Sequence, residues 1–479
     1  MNDKKDGTRS YDAPNADALA AFMKIGWAPS PLEGVTQSRA SSFAAMRRKV
    51  LSKTYPDIRM IIPAGVFKIR SNDTDYRFRP LSAYAYLTGI TGIDAVPDSV
   101  LVLEPLADGG HEALLFIHPR SPRDSEEFYR NVRHGEFWIG RRMTLEETQT
   151  KFGITVRHIS TLASFLGVEK KSLIIRGEDA LVDSKVEARK KKEAEFATFL
   201  SEMRLLKDEF EIGELQNAVN STARGFADMI KVFKAATEVP KGERVVEAAF
   251  FGRARVEGNE LGYDTIAAAG SHACVLHWIR NDGAVVPGDL ILIDAGIEMD
   301  SLYTADITRT LPINGKFSEA QRKIYMLVYE AQKAGFAALK PGAAFKDINR
   351  ASQAVLAKGL AEMGVLPVSA EESMKPDVGL HRRWTVHGVS HMLGMDVHDC
   401  AQARNEEYSD GVLKAGMLLT VEPGLYIQPD DELFPPEYRG IGVRIEDDVL
   451  ITESGYRVLS GNIPSHPDEV EVWMANLTR

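Results

Sequence analysis

The segment 290–310, LILIDAGIEMDSLYTADITRT, constrains the fold more than any other part of the sequence. Its first four residues form a short apolar run that predicts a buried strand, and from Tyr303 apolar and polar residues alternate, which predicts a second strand. In an antiparallel hairpin that turns near Asp300, Asp294 and Asp306 are equidistant from the turn and face each other. Opposed carboxylates repel and destabilise a sheet, so the pair needs a cation unless both side chains are simply solvated.

Length and composition predict two domains and a small partner. A chain of 479 residues is too long for one ordinary core, and 44% apolar residues are enough for two cores. The net charge of −10 argues against nucleic-acid or membrane-surface partners, which require basic patches. Two cysteines, Cys274 and Cys400, exclude a disulfide framework and favour a reducing compartment. Because the sequence shows neither an apolar signal region nor about 20 consecutive apolar residues, we expect a cytoplasmic protein.

The pattern along the chain predicts four parts. Residues 1–35 are polar and interrupted by prolines, which indicates an arm on a surface. Residues 36–185 mix helical stretches with short apolar runs and contain no phosphate-binding loop, so they predict an α/β domain without chemistry of its own. Residues 186–205 include a basic run flanked by acids, which favours a solvated linker helix over a nucleic-acid contact. Residues 206–479 form one large second domain.

Periodicity and capping signals also place individual elements. A capping box at Ser318 and Gln321 predicts the start of a helix that ends before Pro341. The other predicted helices are residues 38–55, 145–152, 161–166, 209–235, 245–257 and 345–363. The other predicted strands are residues 60–63, 99–103, 113–117, 172–175, 418–421 and 443–451.

Three histidines lie close together in the segment HGVSHMLGMDVHD, at His387, His391 and His398. The first two are spaced for one face of a helix, but the zinc-protease motif HExxH needs a glutamate where Gly388 stands. Three histidines in an apolar setting are rarely core filling, so we interpret the segment as part of a site. His277, in HWIRNDG, stands alone, and a lone histidine is more often structural.

Two further carboxylates accompany predicted strands. Glu422 follows the apolar run 418–421 at a strand-to-turn junction. Glu446 lies in the alternating run 443–451 on the same face as Arg444, which can hold a neighbouring carboxylate through a charge-assisted hydrogen bond. For either acid alone, an exposed edge strand explains the pattern equally well.

Four carboxylates buried together without counter-ions would cost many kcal/mol. Asp294, Asp306, Glu422 and Glu446 therefore predict two divalent cations. Oxygen ligands with one imidazole and no sulfur suit Mn²⁺, Co²⁺ or Zn²⁺. Two such ions about 3.5–4 Å apart polarise a carbonyl and hold a bridging hydroxide, which is the chemistry of amide hydrolysis.

Five motifs resemble those of aminopeptidase P, the Xaa-Pro aminopeptidases of the pita-bread metallopeptidase superfamily: IDAG, DITRTLPINGKF, HGVSHMLGMDVHD, TVEPGLYI and YRGIGVRIEDD. The segment TDYRFRPLSAYAYLTG extends the resemblance, more weakly, into the first domain. The resemblance implies an α+β chain with a C-terminal pita-bread (creatinase/aminopeptidase) fold and an N-terminal α/β creatinase-like domain, in which residues 206–479 are the catalytic metallopeptidase domain.

The resemblance also implies roles for individual residues. The ligands of a dinuclear, commonly manganese, site would be Asp294, Asp306, His391, Glu422 and Glu446, with Asp306 and Glu446 bridging the ions. The implied reaction releases the N-terminal residue of peptides with proline in second position, with the bridging hydroxide as nucleophile and Glu422 as proton shuttle. The other implied catalytic residues are His387, His398 and Arg444, and the implied substrate-binding residues are His277, His387, His398, Tyr426 and Arg444. We also expect a homodimer or homotetramer.

Other readings remain open at this point. A prolidase, which cuts only Xaa-Pro dipeptides, needs a cation for the free carboxylate of its substrate, and the sequence does not assign one. A pita-bread binding protein or a metal-free creatinase-like enzyme is disfavoured because all five ligand positions are kept. Removal of an initiator methionine is disfavoured because that family generally lacks a first domain of this size.

Overall fold

A computed structural model describes residues 16–478, and the chain divides into two compact units after Ala197. Residues 1–15 of the predicted arm lie outside the described residues. Further along the arm, the carbonyl of Ser30 accepts hydrogen bonds from Arg120 (3.0 Å) and Arg141 (2.9 Å). The part of the arm near Ser30 therefore lies on the surface of the first unit.

The first unit is built on a mixed five-stranded sheet. The strands of the whole unit are β1 (Arg59–Pro63), β2 (Ile69–Ser71), β3 (Thr74–Asp75), β4 (Val100–Pro105), β5 (His111–Ile117), β6 (Thr155–His158) and β7 (Ser172–Ile174). The order in the sheet is β6-β5-β4-β1-β7, with β2 and β3 forming a separate hairpin. The central strands pair antiparallel, and β6 and β7 join the edges in parallel. The four strands predicted for this domain are confirmed to within two residues.

Helices flank this sheet. They are α1 (Asp17–Phe22), α2 (Arg39–Thr54), α3 (Ser82–Thr88), α4 (Glu127–Arg130), α5 (Glu136–Ile139), α6 (Leu145–Phe152), α7 (Leu162–Leu166), α8 (Ala180–Lys185) and α9 (Lys190–Glu202). The core beneath them includes Ile61, Val102 and Phe116, all fully buried. The division between the units falls inside α9, and the limits of the predicted linker helix, 186–205, stay a prediction.

The second unit contains several small antiparallel sheets. Its strands are β8 (Glu260–Leu261), β9 (Ile266–Ala269), β10 (Leu290–Ala295), β11 (Ile297–Glu298), β12 (Ile307–Pro312), β13 (Leu418–Val421), β14 (Gly424–Tyr426), β15 (Gly442–Arg444), β16 (Asp447–Thr452) and β17 (Gly455–Val458). The two three-stranded sheets have the orders β12-β10-β9 and β13-β16-β17, and the pairs are β11-β8 and β14-β15.

Long helices cover these strands. The helices are α10 (Glu209–Lys231), α11 (Phe233–Ala236), α12 (Gly242–Glu257), α13 (Glu319–Ala337), α14 (Lys346–Glu362), α15 (Ala370–Ser373) and α16 (Pro467–Leu477). The capping box predicted at Ser318 and Gln321 is confirmed. Tyr325 of α13 and Leu356 of α14 share one buried cluster with Val443 of β15, so these two helices pack on the strands that lead to the site.

The predicted register of the central hairpin is wrong by two residues. Asp294 pairs with Thr308, not with Asp306, and the regular part of the second strand begins at Ile307 rather than Tyr303. The turn is centred one residue later than expected because Leu302 adopts a left-handed conformation (φ 70°) with its side chain fully buried. Burial of this leucine offsets the strain of the positive φ.

Close backbone contact explains the glycine of the IDAG motif. A Cβ atom on Gly296 would lie 1.7 Å from the carbonyl oxygen of Ala305 on the opposite side of the hairpin. Any side chain at this position would push the two sides apart. The glycine therefore keeps Asp294 and Asp306, which flank this contact, close together.

The run 443–451 is not one continuous strand, as predicted, but two strands separated at Ile445 and Glu446. Arg309 of β12 fills the break: its guanidinium donates to the carbonyl of Glu446 at 2.6 Å and to Asp447 at 2.7 Å. Residues 442–450 are all buried, which rules out the exposed edge strand. The break directs the backbone so that Arg444 and Glu446 both line the candidate pocket.

The segment that carries the three histidines is irregular. The spacing of His387 and His391 is compatible with a helix, but neither residue lies in one. The segment is held instead by backbone bonds to β13, from Thr420 N to the His391 carbonyl and from Leu393 N to the Leu418 carbonyl. The histidines are therefore held by a loop that runs alongside β13 and is hydrogen-bonded to it.

Among residues 16–478, no helix combines the length and the apolar character that a membrane crossing requires. Cys274 and Cys400 are both buried free thiols. Burial raises the pKa of each thiol to about 12.

Candidate metal centre

A pocket of about 360 Å³ in the second unit collects the predicted site residues. Its wall contains all five predicted ligands, Asp294, Asp306, His391, Glu422 and Glu446, together with His277, His387, His398 and Arg444. The ligands come from β10, from the residue before β12, from the histidine loop, from the β13–β14 junction and from the break before β16. Five separate chain segments thus bring four carboxylates and one imidazole to one cavity.

Three of these side chains form a compact group. Asp306, His391 and Glu446 offer ligand atoms that all lie within 4.8 Å of one another. His391 Nε2 is 3.3 Å from Asp306 Oδ2 and 3.5 Å from Glu422 Oε1. Glu422 therefore lies next to this group, in contact with the His391 imidazole. The distances fit metal-donor atoms that surround one shared space.

Asp294 joins the group through Tyr263. The Tyr263 hydroxyl lies 2.6 Å from Asp294 Oδ1 and 2.5 Å from Asp306 Oδ1, so one phenol spans both aspartates. Burial, together with the charges of the two aspartates, raises the pKa of Tyr263 well above its ordinary value. Sequence reasoning missed this residue, because a single tyrosine before a short strand carries no recognisable signal.

Thr308 and Arg444 fix the remaining orientations. Thr308 Oγ1 donates to Glu446 Oε2 at 2.7 Å and accepts from Arg444 Nε at 3.2 Å. Arg444 also donates to Asp294 Oδ2 at 2.6 Å, which confirms the carboxylate contact predicted for it. Thr308 lies two residues after Asp306 in the run where apolar and polar residues alternate, which puts both on one face of a strand, so the sequence carried a signal for this residue.

Tyr426 lies behind the pocket wall. Its hydroxyl accepts a hydrogen bond from Arg444 Nη1 at 2.9 Å and lies 2.8 Å from His387 Nε2. The ring is 3% exposed and does not line the pocket. Tyr426 thus connects two pocket residues, and a substrate that fills this pocket meets them before it meets the tyrosine.

The titration behaviour of the acids shows how much negative charge is collected here. Burial raises the pKa of Glu422 to about 7, with His391 opposing the rise. Burial and the neighbouring acids raise the pKa of Glu446 well above its ordinary value, and burial raises the pKa of Asp294 against the opposing charge of Arg444. Arg444 and a protonated His391 do not balance four buried carboxylates, so the site favours further cations.

The histidines divide into two types. Burial works to lower the pKa of His391, but its hydrogen bond with Asp306 and the charge of Glu422 outweigh burial and raise the pKa to about 9. Burial, helped by the positive charge of Arg444, lowers the pKa of His387 to about 4. Burial and the neighbouring His391 also lower the pKa of His398. His391 is thus a partner of the carboxylates, whereas His387 and His398 are neutral hydrogen-bonding groups at pH 7.

The donor set fits divalent cations. Four converging carboxylates with one imidazole and no thiolate match the oxygen-rich coordination of Mn²⁺, Co²⁺ or catalytic Zn²⁺. Cations in this space would neutralise the negative charge that Arg444 and His391 leave uncompensated. Asp306, His391 and Glu446 are placed to hold such an ion, and Asp294 and Glu422 adjoin the same space from either side.

Comparison with known proteins gives a consistent picture. The family model described as Metallopeptidase family M24 matches residues 213–453, and the one described as Aminopeptidase P, N-terminal domain, matches residues 43–173. Xaa-Pro aminopeptidase 1 of Streptomyces coelicolor is 52% identical over 467 residues, which cover 96% of this chain and 93% of that protein.

Two solved structures of Escherichia coli aminopeptidase P are similar over nearly the whole chain. The complex with the inhibitor Pro-Leu has a TM-score of 0.80 at 30% identity and covers 92% of this chain and 99% of that one. The zinc-substituted enzyme in complex with product has a TM-score of 0.80 at 31% identity and covers 93% of this chain and 100% of that one.

The fold and the carboxylate-rich site define a metallopeptidase of the pita-bread class. Within that class the chain belongs to the aminopeptidase P family of Xaa-Pro aminopeptidases. The predicted family, the predicted α+β fold with its creatinase-like first domain, and the predicted enzyme class are confirmed.

Proposed function

We propose that this chain releases the N-terminal residue from peptides whose second residue is proline, at a centre that holds two divalent cations. The observation that carries the proposal is the convergence of Asp294, Asp306, His391, Glu422 and Glu446 on one pocket. The name of the similar Streptomyces coelicolor protein, Xaa-Pro aminopeptidase 1, supports the choice of bond.

The bound cations would polarise the carbonyl of the scissile amide and lower the pKa of an attacking water. We assign Glu422 to move the proton of this reaction, because its carboxylate lines the pocket beside His391, at 3.5 Å, where an attacking water would be held. Its position between two strands, at the β13–β14 junction, holds the carboxylate in place.

We assign His387, His398 and Arg444, which line the pocket, to contacts with the substrate. The one N–H of neutral His387 donates to the Gly388 carbonyl at 2.7 Å, and its Nε2 lies 2.8 Å from the Tyr426 hydroxyl. His398 is neutral at pH 7, since burial lowers its pKa, so it carries one N–H donor without adding charge. Preorganised donors of this kind stabilise the charge that develops on a carbonyl oxygen. Arg444, bonded to Asp294 and Tyr426, fixes the side of the pocket that we assign to proline.

Selectivity for proline has a simple physical basis. Leu276, Ile279 and Val397 line the pocket and offer no side-chain hydrogen-bond acceptor. The nitrogen of an Xaa-Pro bond has no N–H to satisfy, whereas an ordinary peptide N–H buried against an apolar wall would lose its hydrogen bond. We therefore assign this apolar wall, together with His277, to the proline ring.

The pocket favours an aminopeptidase over a prolidase. Among the described residues that line it, Arg444 is the one lysine or arginine, and its guanidinium is bonded to Asp294, Tyr426 and Thr308. No second guanidinium or ammonium on that lining is left for the free carboxylate of a dipeptide.

The test compares two substrates of manganese-loaded protein, Ala-Pro-Ala and Ala-Pro. We expect cleavage of the tripeptide after alanine, with kcat/KM for the dipeptide lower by at least about tenfold, because the dipeptide carboxylate lacks a cationic partner. Preferential cleavage of the dipeptide would assign a prolidase, and no cleavage of either would refute the proposal.

The metal identity, the assembly and the location complete the proposal. We assign Mn²⁺ to the centre, with Co²⁺ or Zn²⁺ as alternatives, on the oxygen-rich donor set; the zinc-substituted relative shows that a related site accepts zinc. A homodimer or homotetramer and a cytoplasmic location stay predictions from the sequence. Sedimentation of the purified chain tests the first, and fractionation of the cells that make it tests the second.

A further inference from the structure

Glu243 is a buried carboxylate outside the metal centre whose hydrogen bonds all come from one loop. It lies in the first turn of α12, and its side chain is fully buried. The donors are Ala269 N (2.8 Å) and His272 Nδ1 (2.8 Å) to Oε1, and Gly283 N (2.7 Å) and Trp278 Nε1 (2.8 Å) to Oε2. One side chain thus binds the start, the middle and the end of residues 269–283.

The same loop forms part of the pocket wall. Leu276, His277 and Ile279 all line the pocket. Ile279 N donates to the His277 carbonyl at 3.0 Å, which closes a three-residue turn with Trp278 at its centre. The indole of Trp278 is directed to Glu243, and the residues on either side of it line the pocket. The Glu243–Trp278 bond therefore bears directly on where His277 lies.

Close packing around Glu243 leaves the loop little freedom. The rings of His272 and Trp278 stack with centroids 3.8 Å apart and planes 22° apart, so their two N–H groups reach the two oxygens of one carboxylate side by side. A Cβ atom on Gly283 would lie 2.4 Å from His272 Cε1 and 2.9 Å from Glu243 Oε2. A side chain at position 283 would push His272 away from the carboxylate.

His277 has no comparable support of its own. Across the described part of the chain its imidazole makes no hydrogen bond, and the residue is exposed to the pocket. It lies near enough to His387 and His398 for its charge to contribute to the lowered pKa of both. Its position therefore depends on the backbone that the Glu243 contacts hold.

We propose that Glu243 is a positioning residue for the substrate pocket: its carboxylate fixes the loop 269–283 and so places His277 and Ile279 against the substrate. The role rests on the function proposed above for His277, and it lies outside the metal centre. A carboxylate is required because three of its partners, two backbone N–H groups and the indole N–H, can only donate.

Glu243→Gln tests this requirement with little change in shape. The glutamine amide offers one acceptor oxygen. If its NH₂ group takes the Oε2 position, it meets two donors and two hydrogen bonds are lost; if it takes the Oε1 position, it meets Ala269 N and at least one is lost. Glu471→Gln is the matched control, because Glu471 is a buried carboxylate of α16 in the same unit that accepts from Lys316 Nζ, Phe317 N and Arg322 Nη2, away from the pocket.

The first readout is hydrogen exchange of the manganese-loaded full-length protein. We expect faster exchange of the backbone amides in residues 269–283 in the Glu243→Gln protein, with bound manganese per chain unchanged. The Glu471→Gln protein should exchange at the unchanged rate in this loop. Equal protection of the loop in Glu243→Gln and the unsubstituted protein would overturn the proposal whatever the enzyme activity.

The second readout is a double-mutant cycle on kcat/KM for Ala-Pro-Ala. We expect Glu243→Gln to lower kcat/KM by roughly ten- to a hundredfold, as displacement of a substrate contact by about 1 Å does. If Glu243 acts through the loop, the same substitution in a His277→Ala protein should cost less than about threefold, because coupled residues are not additive. If the effects of the two substitutions on kcat/KM simply multiply in the double variant, the proposal is overturned.

Two further variants separate the proposal from the function on which it rests. Gly283→Ala, whose Cβ would crowd both His272 and the Glu243 carboxylate without removing the carboxylate, should reproduce both effects of Glu243→Gln. Unchanged kcat/KM and exchange in this variant would contradict the proposal. His277→Ala alone tests the function assigned to His277. Full activity of this variant would refute that assignment, and Glu243 could then not act by placing His277.

Discussion

Arg444 Nη2 donates a 2.6 Å hydrogen bond to Asp294 Oδ2, so the guanidinium that lines the pocket is bonded to a predicted metal ligand. The same side chain donates to Tyr426 and to Thr308, which in turn donates to Glu446. One arginine thereby orients two carboxylates, Asp294 of β10 and Glu446 of the break before β16. Its charge offsets part of their repulsion, and the remaining negative charge is what a cation would neutralise.

Arg444→Lys keeps this charge but removes the geometry. A lysine ammonium cannot reach Asp294, Tyr426 and Thr308 at once, since it lacks the planar fork of donors. We expect kcat/KM for Ala-Pro-Ala to fall by about 10²–10³-fold, the cost of losing a preorganised donor, with manganese content retained. Steady-state kinetics and metal analysis of the same preparation check this, and near-normal kcat/KM would show that charge alone is sufficient.

Tyr263→Phe should weaken metal binding without changing any ligand. The substitution removes the hydroxyl that spans Asp294 and Asp306. We expect the affinity for Mn²⁺ to fall by roughly tenfold or more, as loss of an outer-shell hydrogen bond does. Calorimetric titration of the metal-free protein measures it. Tyr325→Phe is the control, because the Tyr325 hydroxyl donates to Ser465 O, outside the pocket lining; equal affinities of the two variants would contradict the role of Tyr263.

Arg309→Met should destabilise the second unit. The Arg309 guanidinium is completely buried, pairs with Asp447 at 2.7 Å, and donates to the backbone carbonyls of Thr308, Glu446, Ile463 and Pro464. Removing one partner of a buried ion pair costs about 3–5 kcal/mol. Chemical denaturation followed by fluorescence measures the free energy of unfolding, and a loss below about 1 kcal/mol, the range of exposed ion pairs, would contradict the assignment.

Glu147 should give the first unit part of its resistance to acid. Burial opposes the effect, but hydrogen bonds from Arg141, Leu32 N and Thr144 N outweigh it and lower the pKa of Glu147 to about 2, from an ordinary value of 4.5. The stabilisation is therefore complete above pH 4.5 and is lost as the pH falls toward 2.

We expect Glu147→Gln to lower the Tm of the first unit at pH 6, and we expect this Tm to fall less steeply on acidification than in the unsubstituted protein. Calorimetric scans between pH 6 and 3 measure both effects. Glu146→Gln, a change at the exposed neighbouring acid, should leave the pH dependence as it is. Parallel pH profiles for Glu147→Gln and the unsubstituted chain would count against the account.

Much of the fold could be predicted because its signals are local. The capping box at Ser318 and the apolar run 418–421 placed their elements closely. The hairpin register was wrong because it depends on Leu302, whose positive φ is tolerated only through burial that forms in the tertiary structure. The break at Glu446 was missed for a similar reason, since it depends on the buried guanidinium of Arg309, which comes from another strand.

The site also contains residues that the sequence predicts and residues that it does not. Glu422 and His391 could be predicted as site residues from their residue types and from the motifs around them, and the structure brings them to one pocket. Tyr263 and Glu243 carry no such signal, because each acts through hydrogen bonds to distant segments. Tyr426 was predicted as a substrate contact, yet its hydroxyl lies behind His387 and Arg444, a distinction that only the packing of the side chains reveals.

The most direct test of the central claim is anomalous diffraction from a crystal of this protein soaked in Mn²⁺. We expect two manganese peaks about 3.5–4 Å apart, bounded by Asp294, Asp306, His391, Glu422 and Glu446. A single peak, or none among these five side chains, would contradict it.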